Sequence, residues 1–435
     1  MINETQMLVA LLVAIILMVL LLIKSRLTPF ISMIIAALLA GMLGGMAPLK
    51  VIDAVKTGFG NTMANLGILI LFGIMIGKVL EVSGGTEALG RAFIRICGKG
   101  HEIVAMIITG FVTSLAIFCV PAFVMLFPLA KDISKRSKLP ISSLAVALAG
   151  GLLWSHTLVP PAVGPIGGAG IFHANLAQMM LIGFLIGIPM MIALYFYVKW
   201  IGKKYPAVAS ESDAPQESKN LPAASLAILP ILIPVVLILL ANIFLQMKIN
   251  STLVVVIGSP VIAMGFGLLF GIYTLLLHAN KKDVKNALND GVKGGANILI
   301  LIGAGGALGN VVNVSGVGKI IATGVAKAGI PAILLPFVIA TLLRLIQGSG
   351  SVAILTTASI TQPMLATLGL DPVLACLAAC VGSMFFSYFN DAYFWTINGS
   401  IQAEDTKQQI LTWSIPTTIF WAIGGVILFI LSFFI

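Results

Sequence analysis

The sequence predicts an all-α polytopic membrane protein, an inverted-topology repeat with about ten transmembrane helices and two re-entrant helical hairpins. Three observations carry this reading. Of 435 residues, 59% are hydrophobic and only 9% charged, with mean hydropathy +1.11; a soluble domain carries about 25% charged residues. Apolar runs of spanning length recur along the chain, and two of them are interrupted midway. Matching residues recur at a fixed offset of 232 positions in the two halves.

Taken in order, the runs 7–23, 29–46, 63–82, 141–158 and 176–200 read as five spans of a first half, 1–201. The runs 224–245, 252–277, 296–314, 372–389 and 411–434 read as five spans of a second half, 223–435. Between them, 202–222 holds Lys203, Lys204, Glu211, Asp213, Pro206 and Pro215, the composition of a solvated linker. The two interrupted runs are 103–133, broken at Cys119-Val120-Pro121-Ala122, and 330–368, broken at Gln347-Gly348-Ser349-Gly350-Ser351. The first leg, 103–118, spans roughly 24 Å as a helix, short of a ~30 Å hydrocarbon core. Each interrupted run therefore reads as a hairpin; two full spans in each, fourteen in all, is the rival. Segments 85–97 and 317–327 are too short and polar to cross and read as amphipathic arms on the membrane surface.

Gly77, Ser83 and Gly84 match Gly309, Ser315 and Gly316, and at the same offset Gly150 matches Gly382 and Ser155 matches Ser387. Five crossings per half is an odd number, so the second half enters from the opposite side. Loops on one side carry 18 Lys and Arg and those on the other five. The basic side is cytoplasmic by the positive-inside rule, which places both termini outside. The same rule accounts for the net charge of +10, and no basic-aromatic surface for nucleic acid appears.

The sequence offers little for catalysis. It has no phosphate-binding Gly-x-x-x-x-Gly-Lys-Ser/Thr loop. His101, His156, His173 and His278 lack metal-ligand spacing, and Cys97, Cys119, Cys376 and Cys380 form no Cys-x-x-Cys pair. No cofactor, metal or disulfide is expected. Polar groups in membrane-grade sequence point instead to a transport site. Arg344 is a lone cation there, followed by Gly348, Ser349, Gly350 and Ser351, where a helix end can seat a carboxylate. In the first hairpin the corresponding end is 122–123. The spans after the hairpins end in Ser155, His156 and Thr157, and in Ser387, Asn390 and Asp391. This set suits a hydroxylated anion plus a proton, with His156 and Asp391 as the titratable groups.

Structural readings stand beside these. Arg344 can bond carbonyls freed at the break, His156 can be a satisfied interior histidine, and Asp391 can be an interfacial helix cap. Lys78 and Glu81 read as a snorkelling pair, and the glycines at 303, 305, 306 and 309 as close-packing positions. An ion channel, the reading from a different class, needs a continuous polar stripe, which no span shows.

Gly77-Lys78 with Gly84-Gly85, Phe123-Val-Met-Leu-Phe-Pro-Leu129, Ser155-His156 with Pro160-Pro161 and Gly164-Pro165, Leu343-Arg344 with Gly348-Ser349 and Val352, and Ser387 with Asn390-Asp391 together resemble the gluconate permease family of the ion transporter superfamily. The resemblance implies a multi-pass symporter of the bacterial inner membrane. It would import gluconate-like sugar acids or related small hydroxy or amino acids, usually with H⁺, as a homodimer working by an elevator motion. Two departures bear on substrate. Val120 stands where the family's gluconate carriers have a glutamate, and Ala162-Val163 stands where they have His-Pro. A shorter or less hydroxylated acid than gluconate, a D-serine-like zwitterion, and coupling to Na⁺ all follow as alternatives.

Overall fold

The computed structural model describes residues 4–24, 27–209, 221–247, 251–277, 280–388, 391–403 and 405–434. Among these the chain is all helix and turn, without strands. Six helices or helix pairs are long and apolar enough to cross a membrane, and several shorter apolar helices accompany them. The centre of the linker, 210–220, lies outside the described residues, as do both chain ends.

The first half runs α1 (Glu4–Lys24), α2 (Pro29–Leu43), α3 (Pro48–Val82), α4 (Gly85–Cys97), α5 (Glu102–Ser114), α6 (Cys119–Ser137), α7 (Ile141–Leu158), α8 (Val163–Phe172) and α9 (Leu176–Lys204). The second runs α10 (Ala224–Gln246), α11 (Thr252–Ile257), α12 (Pro260–Leu275), α13 (Lys281–Ser315), α14 (Val317–Lys327), α15 (Leu334–Gln347) and α16 (Gly350–Thr361). A short 3₁₀ turn leads to α17 (Leu365–Leu368), α18 (Pro372–Gly382), α19 (Ala392–Ser400) and α20 (Thr406–Gln409). A π-helical turn, Ile410–Ser414, then leads into α21 (Ile415–Leu431). Local chemistry sets many of these starts. The Thr28, Asn175 and Asn280 side chains cap α2, α9 and α13. Asp371 accepts from Val373 N and Leu374 N at 2.8 and 3.0 Å, with Pro372 at the first helical position of α18.

Several boundaries differ from the sequence reading, for identifiable reasons. The helices containing 63–82 and 296–314 each extend backwards into polar sequence, and α3 and α13 are both 35 residues long. Hydropathy marks the membrane-grade part of a helix and is silent on its solvated extension. The run 252–277 divides at Gly258-Ser259-Pro260, where proline starts α12 as its first residue. The run 372–389 is helical only to Gly382. The first interrupted run breaks at 115–118, earlier than Cys119–Ala122. Pro121 lies in the first turn of α6, where a missing N–H is tolerated. The helical end in the first hairpin is therefore Cys119-Val120 and not 122–123. Segments 85–97 and 317–327 are the helices α4 and α14, as expected. Each is preceded by a left-handed glycine, Gly84 at φ +72° and Gly316 at φ +78°.

The helices sort into two packed groups. One gathers α1, α2, α3, α10, α12 and α13, with α3 against α13 its principal pairing; the other gathers α5 to α9, α15, α16, α18 and α21. Lipid-length helices such as α9 and α21 carry exposed apolar residues on their outer faces, including Leu185, Phe196 and Val426. Glycines permit the closest approaches. A Cβ on Gly151 would run into Ile107 O, and one on Gly382 into Phe337 O. A Cβ on Gly150 would instead meet the Leu194 side chain. Gly303, Gly305, Gly306 and Gly309 all pack tightly, against Phe59, Ser359, Thr62 and Ser359 respectively.

At the α3–α13 crossing a Cβ on Gly306 would stand 2.6 Å from Gly58 O, and Asn310 Nδ2 donates to Ala54 O at 2.8 Å. Gly306→Ala should therefore force the pair apart and destabilise the protein by roughly 1–3 kcal/mol, the usual range for overpacking. The check is thermal unfolding of the purified protein, where an unchanged midpoint would show that the crossing is looser than described.

Candidate functional site

A cavity of about 410 Å³ lies where the two helix breaks meet, a volume within the roughly 300–1,000 Å³ usual for small-molecule sites. Its wall includes His156, Thr157, Arg344, Gly348, Ser349, Gly350, Ser351 and Asp391. Eight of the residues singled out from sequence, drawn from both halves, thus surround one space. Ser155 is fully buried behind it, its Oγ donating to Leu152 O at 3.4 Å. Ser387 also sits behind the wall. Asn390 lies outside the described residues.

The second break is built by its own residues. Gly348 ends α15 at φ +75°, a left-handed conformation that favours glycine, and its N–H donates to Arg344 O at 2.9 Å. Ser349 then caps α16, its Oγ accepting from Val352 N at 3.4 Å. In the first break, Ser114 Oγ donates to Ile117 O at 2.9 Å and closes the turn between α5 and α6. The legs α5 and α15, 13 and 14 residues long, reach about 20 Å each.

Three helix N-termini converge on the cavity. Cys119 and Val120 of α6, Gly350 and Ser351 of α16, and Ala392 and Tyr393 of α19 all line it. Each terminus carries a partial positive charge, so together they suit an anion.

An ion pair in the site joins Arg344 Nη2 to Asp391 Oδ2 at 2.5 Å, both side chains largely buried. The Arg344 Nη1 group also donates to Gly348 O. Arg344 therefore bonds a carbonyl freed at the break and holds a carboxylate as well. Asp391 is a helix cap too: Oδ1 accepts from Tyr393 N at 2.9 Å, while Oδ2 accepts from Ser387 Oγ at 2.5 Å. Ser387 is fixed in turn, its N–H donating to Thr417 Oγ1 at 3.0 Å and its carbonyl accepting from Ser414 Oγ at 2.5 Å. Arg344, a lone cation in its own stretch of sequence, is thus paired in the fold. Asp391 is 47 residues away in sequence, and the pairing exists only once α15, the 383–388 turn and α19 have packed.

Aromatic rings also line the cavity. Phe118 lies edge-on to the His156 ring with centroids 5.6 Å apart. Tyr393 meets Phe123 at 5.9 Å and Trp413 at 5.1 Å, edge to face. Sequence reasoning missed Phe118, Tyr393 and Trp413, because aromatics in apolar runs read as core. A larger groove of about 1000 Å³ lies elsewhere, between Arg91, Lys99, Arg136, Lys199 and Lys203, and contains none of the expected site residues. Lys78 and Glu81, also away from the cavity, pair at 2.6 Å.

A cavity enclosed by broken apolar helices, with a buried charge pair in its wall, is the architecture of a membrane transporter. The comparisons agree. The model of the GntP family permeases matches residues 6–434. The chain is 42% identical over 404 residues to an uncharacterized permease of Haemophilus influenzae, covering 88% of this chain and 83% of that one. It is 32% identical over 385 residues to a high-affinity gluconate transporter of Escherichia coli, covering 86% and 87%. Among solved structures, the YdaH transporter of Alcanivorax borkumensis shares the fold with TM-score 0.65 and 18% identity, over 89% of each chain. MtrF of Neisseria gonorrhoeae does so with TM-score 0.65 and 18% identity, over 94% of this chain and 96% of that one. The chain belongs to the GntP family of permeases.

If Arg344 and Asp391 act as a unit, removing one partner should do more harm than the second removal adds. Arg344→Met and Asp391→Asn, singly and together, form a double-mutant cycle by thermal or denaturant unfolding. A coupling of about 1–3 kcal/mol is expected; additive losses would show the pair to be energetically idle.

Proposed function

We propose that the protein is a secondary active symporter that imports a small organic acid anion, gluconate or a shorter hydroxy acid, together with H⁺ across the bacterial inner membrane. The observation that carries this is the Arg344–Asp391 pair in the cavity wall. The two charges cancel, so with His156 neutral a bound monoanion would leave a buried site with net negative charge, which is unfavourable. A proton taken up by Asp391 restores neutrality and releases the Arg344 guanidinium to the substrate carboxylate, where two parallel bonds can form. The helix N-termini at Gly350, Cys119 and Ala392 add to the attraction. Val120, in the wall itself, replaces an acidic partner for sugar hydroxyls and favours a shorter acid; Ala162 and Val163 lie outside the wall. The homologues named as gluconate transporters give the substrate class. Neither coupling to Na⁺ nor a zwitterionic substrate has a comparable observation behind it.

The transport motion proposed is an elevator. Where the group around the cavity meets the α3–α13 group, Gly305 and Gly309 lie against Ser359, and Gly170 against Leu66, so at these places one partner has no side chain to interlock against a sliding movement. An inverted repeat of 1–201 and 223–435 is supported by the equal lengths of α3 and α13 and by the left-handed Gly84 and Gly316 that follow them. In this reading α5–α6 and α15–α16 are the two hairpins and ten helices cross the membrane. The excess of Lys and Arg faces the cytoplasm with both termini outside, and the working unit is a homodimer.

Asp391→Asn keeps the cap on α19 and removes the proton site. In membrane vesicles it should still exchange labelled substrate between the two sides, yet lose accumulation driven by a pH gradient. Accumulation at the native level would remove Asp391 from the coupling path and direct the search to His156 or to Na⁺.

A further inference from the structure

We infer that the groove of about 1000 Å³, remote from the ion-pair cavity, binds an anionic phospholipid, with lysines holding the phosphate headgroup and an acyl chain lying along α9. Five cations line it, Arg91, Lys99, Arg136, Lys199 and Lys203, against two carboxylates, Glu102 and Asp132. Asp132 is taken by Arg136 at 2.9 Å, and Arg91 pairs with Glu87 at 2.8 Å. Among the described residues no carboxylate pairs with Lys99, Lys199 or Lys203. The groove therefore keeps a positive charge that no neighbouring side chain cancels. Its lining is also apolar, through Ile94, Ile103, Leu129 and Ile133. A free inorganic anion has no use for that apolar surface, whereas a phospholipid matches both parts. Basic pockets between membrane helices are recurrent seats for anionic headgroups.

The spacing along α9 places the groove at the level of the headgroups. Leu185, Ile188, Ile192, Lys199 and Lys203 follow one another at steps of three, four, seven and four residues, so they share one face of the helix. The first three are 61%, 38% and 55% exposed and belong to a helix apolar enough to cross a membrane. The two lysines are also exposed. The outward stripe of α9 is thus apolar along the span and turns cationic where the apolar run ends at Trp200. Aromatic rings mark the same level: Lys199 Nζ stands 4.3 Å from the Tyr195 ring centre and Lys204 Nζ 5.1 Å from that of Trp200, the pairing of aromatic and basic residues usual at a membrane interface. The amphipathic arm α4 supplies Arg91 and Ile94 from another side. The rival occupant is the linker, whose Glu211, Asp213 and Glu217 follow Pro206 of the groove wall in sequence.

The test is native mass spectrometry of the full chain in detergent, titrated with dioleoyl phosphatidylglycerol and, separately, with dioleoyl phosphatidylcholine. The apparent Kd of the first bound lipid is read for the native protein and three double variants. Lys199→Gln with Lys203→Gln removes the charge, and Lys199→Arg with Lys203→Arg keeps it. Lys281→Gln with Lys282→Gln removes the same charge from exposed lysines at the start of α13, outside the groove. The native protein should bind phosphatidylglycerol about tenfold more tightly than phosphatidylcholine. The glutamine pair at 199 and 203 should weaken phosphatidylglycerol about tenfold to thirtyfold and leave phosphatidylcholine unchanged. The arginine pair and the α13 pair should bind as the native protein does. Native affinity for phosphatidylglycerol in the glutamine pair overturns the inference. So does an equal loss in the α13 pair, which would show attraction to surface charge at large. Absence of any preference in the native protein, the result expected if the linker fills the groove, overturns it as well.

Discussion

A buried arginine inside apolar helices must be neutralised locally, and that requirement organises the centre of the molecule. Arg344 is satisfied by a carboxylate from α19's cap and by the carbonyl of Gly348. Meeting both needs a helix that stops at Gly348, a helix that starts at Ala392, and a turn over 383–388 that brings them together. Ser387, Ser414 and Thr417 tie that turn to the start of α21. Each break also leaves a helix end facing the cavity, so the elements that make the ion pair possible also make the site attractive to an anion.

The remainder of the bundle keeps this centre enclosed while limiting what holds it in place. Backbones approach closely at glycines, where α5 meets α7 and α15 meets α18, and where α3 crosses α13. Between the two helix groups, Gly305 and Gly309 lie against Ser359, and Gly170 against Leu66.

Much of this was legible in the sequence because the membrane makes polar residues conspicuous. Gly348, Ser349 and Arg344 stand out in an apolar run, and the structure puts the break, the cap and the cavity there. The arms 85–97 and 317–327 were bounded correctly by glycine and charge. Other features were hidden for physical reasons. Pro121 looks like a helix break but is tolerated in a first turn, so α6 begins two residues earlier. The polar start of α13 reads as a loop because hydropathy reports the solvent of a helix and not its existence. The Arg344–Asp391 pairing is a tertiary fact with no local signature. Trp413 looks like any aromatic in an apolar span until the fold places it in the cavity wall.

The central claim is that a substrate anion and a proton enter the site together, the proton discharging Asp391 as the anion takes Arg344. Titration calorimetry of the purified protein with its transported acid measures this directly when repeated in buffers of different ionisation enthalpy, since the slope of observed heat against buffer enthalpy counts protons exchanged. About one proton taken up per acid bound is the predicted result, in keeping with linkage between binding and protonation. A slope of zero, with binding intact, would contradict the account.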